Sequence, residues 1–299
     1  MRRSWILAVL LASASSAWGA PARLVALAAA DDARKAVAIG PAGEVYAPDG
    51  KGAWVHRLQS STASALSAAS SGAGGTVFAF GEGVVYRLAG NGWSAIRLVQ
   101  HGKAVLGAGS RARAAVGRQI YALDATTQGE PNKLAVAPGA VVALAAGAKA
   151  IVVATDVGVF RLGPGKPTPI PAAPRRVRLV SERWAIADRG ALDLTTGKLV
   201  AWPGGLTVGP AAVAGDALVA VASSRAGLEL ITLRAGTFTR DALGLSGSAV
   251  GVVVDRAGRA VVALSDGRIA LRERAGWTTT EVTDEPAAAR PGAPPSTTG

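Results

Sequence analysis

A short segment recurs along this chain, and a recurring unit constrains a fold more than any single motif does. Gly83-Val84-Val85-Tyr86-Arg87-Leu88 is followed by Gly92-Trp93. Gly158-Val159-Phe160-Arg161-Leu162 repeats it, and so does Gly267-Arg268-Ile269-Ala270-Leu271, with Gly276-Trp277 behind it. Weaker copies occupy 53–58, 119–123, 190–194 and 227–233. The matching positions are 56, 86, 121, 160, 192, 231 and 269, spaced 30 to 39 residues apart. Seven copies at such a period suit a four-stranded antiparallel unit.

The interior of one repeat agrees. Val141-Val142-Ala143-Leu144-Ala145 and Ala150-Ile151-Val152-Val153-Ala154 are apolar strands, and Val159-Phe160-Arg161-Leu162 alternates. Gly163-Pro164-Gly165 turns into a poor outer strand over 166–171. Apolar inner strands with mixed outer ones are what a sheet covered on both faces by its neighbours needs. Six repeats over about 65–283 supply four strands each, residues 35–58 supply three, and residues 22–28 supply one. The expected fold is an all-β propeller of seven four-stranded blades, with six or eight as alternatives. An N-terminal strand is expected to pair with the C-terminal sheet and close the ring, removing free edges. The expected organisation is a signal peptide over 1–19, the propeller over 20–282 and a disordered Pro- and Ala-rich tail over 283–299.

Acidic residues stand beside Gly after several second strands: Asp49-Gly50, Glu82-Gly83, Asp156-x-Gly158, Asp188-x-Gly190 and Asp266-Gly267. A ring of carboxylates is one reading. Hairpin chemistry is the favoured one, because Gly accepts positive φ and Asp bonds its local backbone. Trp93, Trp277 and Phe238 recur at matched places and are read as blade-to-blade packing.

The run Val77-Phe78-Ala79-Phe80-Gly81-Glu82-Gly83-Val84-Val85-Tyr86-Arg87-Leu88 resembles the repeat of two-component-regulator-type sensor propellers, and 151–162 and 261–271 are similar. The resemblance implies a propeller and a ligand- or partner-sensing role. The chain shows no kinase or membrane helix of the kind such sensors carry, so signalling is not implied. The Gly-His and Trp-Asp pattern of WD40 repeats, the Gly-Gly pairs of Kelch repeats and a complete Asp-box are all missing.

Residues 1–19 read as an export signal: Arg2 and Arg3 lead, 5–14 is apolar, and Ala17 and Gly19 fit the small-x-small rule for cleavage. Arg2-Arg3 faintly resembles a twin-arginine signal, but the general secretory route is expected. The apolar stretch is too short to span a membrane comfortably. The expected location is therefore periplasmic or secreted. The chain has no cysteine, which excludes disulfides, thiol nucleophiles and a lipid-anchored cysteine. His56 and His101 alone leave little for a histidine metal site. The formal charge is +12 and the isoelectric point about 10.9. Losing Arg2 and Arg3 with the leader lowers the charge to +10. Such a surface attracts acidic proteins, anionic glycans or anionic lipids; export argues against nucleic acid.

No nucleophile elbow, HExxH, P-loop or EF-hand pattern occurs. Tyr46, Tyr86 and Tyr121 fall in expected strands, and the adjacent acidic pairs Asp31-Asp32 and Asp284-Glu285 read as loop and tail. The expected function is a non-catalytic protein-binding or scaffolding module of the cell envelope, with no cofactor or metal. The alternatives are a hydrolase or lyase acting at the central channel, or a binder of anionic glycan or lipid. The candidate binding residues are two basic clusters, Arg175, Arg176 and Arg178, and Arg111, Arg113 and Arg118, which would make one basic rim if they share a face.

Overall fold

The computed structural model describes residues 21–29, 32–49, 53–58, 66–71, 76–81, 84–89, 92–98, 103–109, 112–123, 130–146, 150–171, 173–174, 176–255, 257–273 and 276–282. The expected leader and tail lie outside these residues, as do Arg111, Arg175, His101, Asp31, Asp284 and Glu285.

The chain is a seven-bladed β-propeller. Twenty-eight strands form seven antiparallel blades of four, each made from consecutive strands A to D, from the axis outward. Blade 1 holds β1 (Ala26–Ala28), β2 (Val37–Ile39), β3 (Val45–Pro48) and β4 (Trp54–Leu58). Blade 2 holds β5 (Leu66–Ser71), β6 (Val77–Gly81), β7 (Val84–Ala89) and β8 (Gly92–Ile96). Blade 3 holds β9 (Ala104–Gly109), β10 (Ala112–Val116), β11 (Gln119–Leu123) and β12 (Lys133–Val136). Blade 4 holds β13 (Val141–Ala146), β14 (Ile151–Thr155), β15 (Gly158–Leu162) and β16 (Thr168–Pro169). Blade 5 holds β17 (Val177–Val180), β18 (Trp184–Ala187), β19 (Gly190–Asp193) and β20 (Leu199–Ala201). Blade 6 holds β21 (Thr207–Ala214), β22 (Ala217–Ser224), β23 (Gly227–Arg234) and β24 (Thr237–Ala242). Blade 7 holds β25 (Ala249–Val254), β26 (Ala260–Leu264), β27 (Arg268–Glu273) and β28 (Gly276–Glu281).

The burial follows the sequence pattern. The B strands β6, β10, β14, β18 and β26 are buried along their whole length, because neighbouring blades cover both faces. The D strands β24 and β28 are mostly exposed and carry Thr and charge, which blunts the outer edges. Each seam between blades has its own apolar cluster; Phe78, Phe80 and Val85 meet Ala114, Val116 and Tyr121 between blades 2 and 3, for example. Blades 3 and 4 go further: β9 and β13 pair in parallel at Ala145↔Ala108 and Ala146↔Gly109, making one eight-stranded sheet.

The strand count agrees with the sequence, but the alignment of the first repeat does not. The segment 53–58 is a D strand, whereas 86, 121, 160, 192, 231 and 269 all lie on C strands. The C-strand equivalent in blade 1 is Tyr46 on β3. Asp49 lies at the turn between β3 and β4, where it accepts the Ala53 N–H at 3.2 Å. It thus imitates the acidic B–C turn of the other blades.

Ring closure also differs from expectation. β1 pairs with β2 of its own blade, because residues 249–281 already supply four strands to blade 7. Closure is a side-by-side clasp. Ala22 N donates to Val282 O at 2.9 Å and Leu24 N to Ser265 O at 3.3 Å. Leu24, Leu27, Tyr46 and Trp54 of the N-terminal side share a core with Val261, Ile269 and Val282. A Cβ on Gly251 would lie 2.5 Å from Leu27 Cβ and 2.9 Å from its backbone nitrogen, so this seam requires Gly251. Beside it, Arg259 bonds Asp255 at 2.6 Å and Asp32 at 3.2 Å, joining residues 227 positions apart. Asp32 also caps a short 3-10 turn at Ala33–Lys35 by accepting from Arg34 N.

Two outcomes are expected. Gly251→Val should destabilise the fold by roughly 1–3 kcal/mol in denaturant unfolding, since the added volume meets backbone rather than a movable side chain. Burial pushes the Asp255 carboxyl up, but bonds from Arg259 and Ala257 overcome this and hold it below the usual carboxylate range. A depressed folded-state value means stability that is present above the ordinary aspartate value and lost as pH falls through the folded one. Thermal stability should therefore hold down to about pH 4, where free aspartates titrate, and fall below it. Asp255→Asn should cost roughly 1.5–3 kcal/mol at neutral pH and flatten that acid limb.

Candidate functional site: the channel rim over blades 3 to 5

Strands within a blade alternate in direction. The D-to-A connections between blades and the B-to-C turns within them therefore open on one face of the disc, called here the connection face. The A-to-B and C-to-D turns open on the other. The A strands β1, β5, β9, β13, β17, β21 and β25 surround the axis.

Five A strands begin with a bulge at the connection face. The pairing with the B strand slips past Ser67, Val142, Arg178, Gly209-Pro210 and Val250 in blades 2, 4, 5, 6 and 7. A bulge re-aims the extra residue and bends the strand. Val142 is consequently 47% exposed although it stands in an apolar run, and Arg178 is exposed beside buried Val177. Pattern reading missed these positions, because it took 141–145 as one continuous buried strand. Pro210 and Gly209 were the available signal, since both residues inside a strand mark bulges.

Short bonds tie blades 3 and 4 together in this sector. Val141 N donates to Gly117 O at 2.7 Å, Ala137 N to Arg118 O at 2.8 Å, and Asp156 N to Ala140 O at 3.1 Å. Arg118 Nε donates to Ala137 O at 2.9 Å. Gly139 leaves the room taken by the Asp156 carboxylate and by Val157, whose Cγ2 lies 2.8 Å from where a Cβ would stand. Val157 at the tip of that turn is 65% exposed, the most exposed large apolar residue described.

Of the basic residues singled out in the sequence, Arg118, Arg176 and Arg178 lie at the connection face, with blade 4 between the first and the other two. Arg113 does not join them. It is the second residue of β10, buried, and five residues from Arg118, about 17 Å along an extended chain. Arg113 and Arg118 are therefore separated across the thickness of the disc. Arg176 precedes β17 at φ 59°, a left-handed conformation that favours Gly or Asn. Arg178 Nε meets Asp188 at 3.0 Å with both side chains about half exposed. Arg189, next in that turn, is exposed.

The acidic residues serve turns and ion pairs. Glu44 accepts Ala42 N at 2.9 Å, Asp266 accepts Arg268 N at 3.3 Å, and Asp188 faces Arg178. The Arg240 side chain holds the Glu229 carboxyl below its ordinary value, and Arg268 does the same to Asp266. Burial pushes Asp193 up, but Thr195, Arg183 and Thr196 outweigh it. Every resolved carboxyl shift is thus downward. Among the described residues no three of His, Cys, Asp and Glu are placed to hold a metal ion. His56 is on the outermost strand of blade 1, stacked on Tyr46 at 5.1 Å. Trp93 donates to Gly43 O across blades at 2.8 Å, and Phe238 meets Trp202 at 5.7 Å between blades 5 and 6, so these aromatics fill seams. Trp277 packs against the core between blades 6 and 7.

Replacing Arg178 or Asp188 with Ala should change unfolding free energy by less than about 1 kcal/mol, because exposed pairs contribute little. A larger loss in a thermal or urea melt would make the pair part of the scaffold rather than of an open surface.

No family model matches the chain, and no curated protein matches it in sequence. Solved structures match the fold. The WD40 β-propeller domain of Doa1 aligns with a TM-score of 0.60 at 12% identity, covering 86% of this chain and 95% of that one. A catalytically inactive histidine-to-alanine variant of virginiamycin B lyase from Staphylococcus aureus with quinupristin gives 0.61 at 11%, covering 83% and 93%. YCF48 bound to D1 peptide gives 0.58 at 15%, covering 91% and 95%. At these identities the likeness is one of fold.

Proposed function

We propose that this chain is an exported, non-catalytic binding module of the cell envelope that holds a protein partner at the connection face of blades 3 to 5. The observation that carries the reading is that Val142, on a bulge, and Val157, on a turn, are both exposed at the connection-face end of blade 4, with arginines on the blades to either side. Apolar residues ringed by charge on a disc face are a protein-contact pattern. Propellers that bind a peptide or carry a WD40 domain are among the structural neighbours, which is compatible with this use of the fold. A lyase is among them too. A channel enzyme, however, gains its acid or base from raised or matched titrating groups. Here the carboxyls of Asp193, Glu229, Asp255 and Asp266 are held below their ordinary values by backbone N–H, hydroxyl and arginine donors, and His56 stands at the outer edge. Export rests on the leader-like residues 1–19, and among the described residues no helix is long and apolar enough to cross a membrane.

The test is a cross-linked pull-down of the mature protein from the envelope, run beside Val142→Asp with Val157→Asp and beside Lys166→Glu with Lys198→Glu. The two lysines sit at C-to-D turns of blades 4 and 5, on the opposite face. A stoichiometric partner should be retained by the lysine variant and lost at least tenfold by the valine variant. Retention by the valine variant and loss by the lysine variant would move the site to the other face. Turnover of a substrate by the mature protein would displace the non-catalytic reading.

A further inference from the structure

The rim over blades 3 to 5 combines three features that together specify a ligand chemistry. The first is apolar. Val141 pairs with Thr155, so the bulged Val142 and the turn residue Val157 both stand at the connection-face end of the β13–β14 pair, and both are exposed. The second is cationic. Arg118 stands on the blade 3 side of this pair, and Arg176, Arg178 and Arg189 on the blade 5 side. Val142 and Arg178 occupy like places on adjacent A strands, each the bulged residue after its strand's first pair, and Arg176 immediately precedes the second of these strands. Arg176 and Arg189 have no carboxylate partner among the described residues. Arg178 leans on Asp188 through a half-exposed contact that a ligand carboxylate can replace.

The third feature is backbone strain. Of the two non-glycine residues described at positive φ, Ala235 sits in a two-residue hairpin turn with Gly236, where such a conformation is ordinary. Arg176 is in no hairpin, and its conformation suits Gly or Asn. A long cation kept at such a position, exposed and without an internal partner, matches the strained residues found at ligand clamps.

We infer that the occupant of this rim is an extended peptide segment in which carboxylate side chains flank a branched aliphatic residue. The aliphatic residue covers Val142 and Val157, and the flanking carboxylates reach Arg118 on one side and Arg176 and Arg189 on the other. Arginine suits this task because its fork of donors meets a carboxylate at two points. A peptide fits better than an anionic membrane. Asp156 and Asp188 stand among the arginines, and such mixed charge at a fixed spacing discriminates between peptides but repels a uniformly anionic surface. The formal charge of +10 left without Arg2 and Arg3 steers an acidic partner to the disc as a whole, and the rim selects within it. This inference rests on the protein-binding reading above.

The probes are two twelve-residue synthetic peptides with the same central Val-Leu-Val. One has Asp and Glu on both sides and the other has Ser. Fluorescence anisotropy is read from 25 to 300 mM KCl, with sedimentation of phosphatidylglycerol vesicles alongside. The acidic peptide should bind at least tenfold more tightly than the Ser peptide at low salt, and its affinity should fall as salt rises. Arg176→Ala with Arg189→Ala should lower that affinity at least fivefold and reduce the salt slope. Val157→Asp should lower it at least fivefold with a matching melting curve, whereas Lys166→Ala with Lys198→Ala should leave it unchanged. Equal binding of the two peptides, or none by either, overturns the inference. If the pull-down partner is then still lost with the valine variant, the protein-binding reading stands without it. Vesicle binding that tracks Arg176 and Arg189 in place of peptide binding also overturns it, assigning the rim to lipid.

Discussion

Everything in this molecule depends on packing sheets around a circle. Seven blades must meet face to face, yet the space between them is narrow at the axis and wide at the rim. Small residues stand where the blades converge. At Gly107 a Cβ would lie 2.8 Å from Leu144, and Gly251 lies against Leu27. Where the blades diverge stand Trp54, Trp93, Phe238 and Trp277 on D strands and Trp202 just beyond one, while Phe78, Phe80 and Trp184 fill seams from B strands. Close packing at interior density requires this taper. It suits a chain rich in Ala, Gly and Val with only 5% aromatic residues.

Crowding at the axis also gives a reason for the bulges. Inner strands that start at the connection face must bend away from the blade plane as they arrive from the outer strand of the previous blade, and an extra residue permits that bend. The same device lifts Val142 and Arg178 out of the buried pattern. The rim chemistry is thus a by-product of how the ring is built, and varies from blade to blade with whatever residue occupies the bulge.

What was legible in the sequence was what repeats. Apolar B strands, Asp-Gly turns and C strands ending in Arg-Leu or Ala-Leu recur because each blade solves the same problem, and they give the right number of strands. Blade 1 escaped alignment because Asp49 and Arg57-Leu58 copy those signals one strand late. The clasp was misread for a related reason: β1 carries three residues, too few to show by period which sheet it joins. The basic clusters were visible as composition, but face assignment depends on parity of strands. Arg113 and Arg118 are near in sequence and far apart in space because a whole strand lies between them. Val157 was read as part of a turn and nothing more, since exposure is not written in a four-residue window.

The rim and the clasp lie at opposite ends of the ring, and this separation has a physical consequence. The seam between blades 7 and 1 is held by two backbone bonds, an apolar core and the Arg259–Asp32 pair. It is the natural place for the ring to open, since β28 and β1 are the last and first strands and are not joined by a D-to-A connection as the other neighbouring blades are. Blades 3 and 4, half a turn away, share a backbone ladder as well as a core. Arg118, Val142 and Val157 stand on that eight-stranded sheet, so opening at the clasp need not disturb their spacing. A binding surface gains affinity by being fixed before its partner arrives. In this ring the sector where a backbone ladder joins two blades also carries the exposed valines, while the arginines that flank them come from turns, a connection and a bulge.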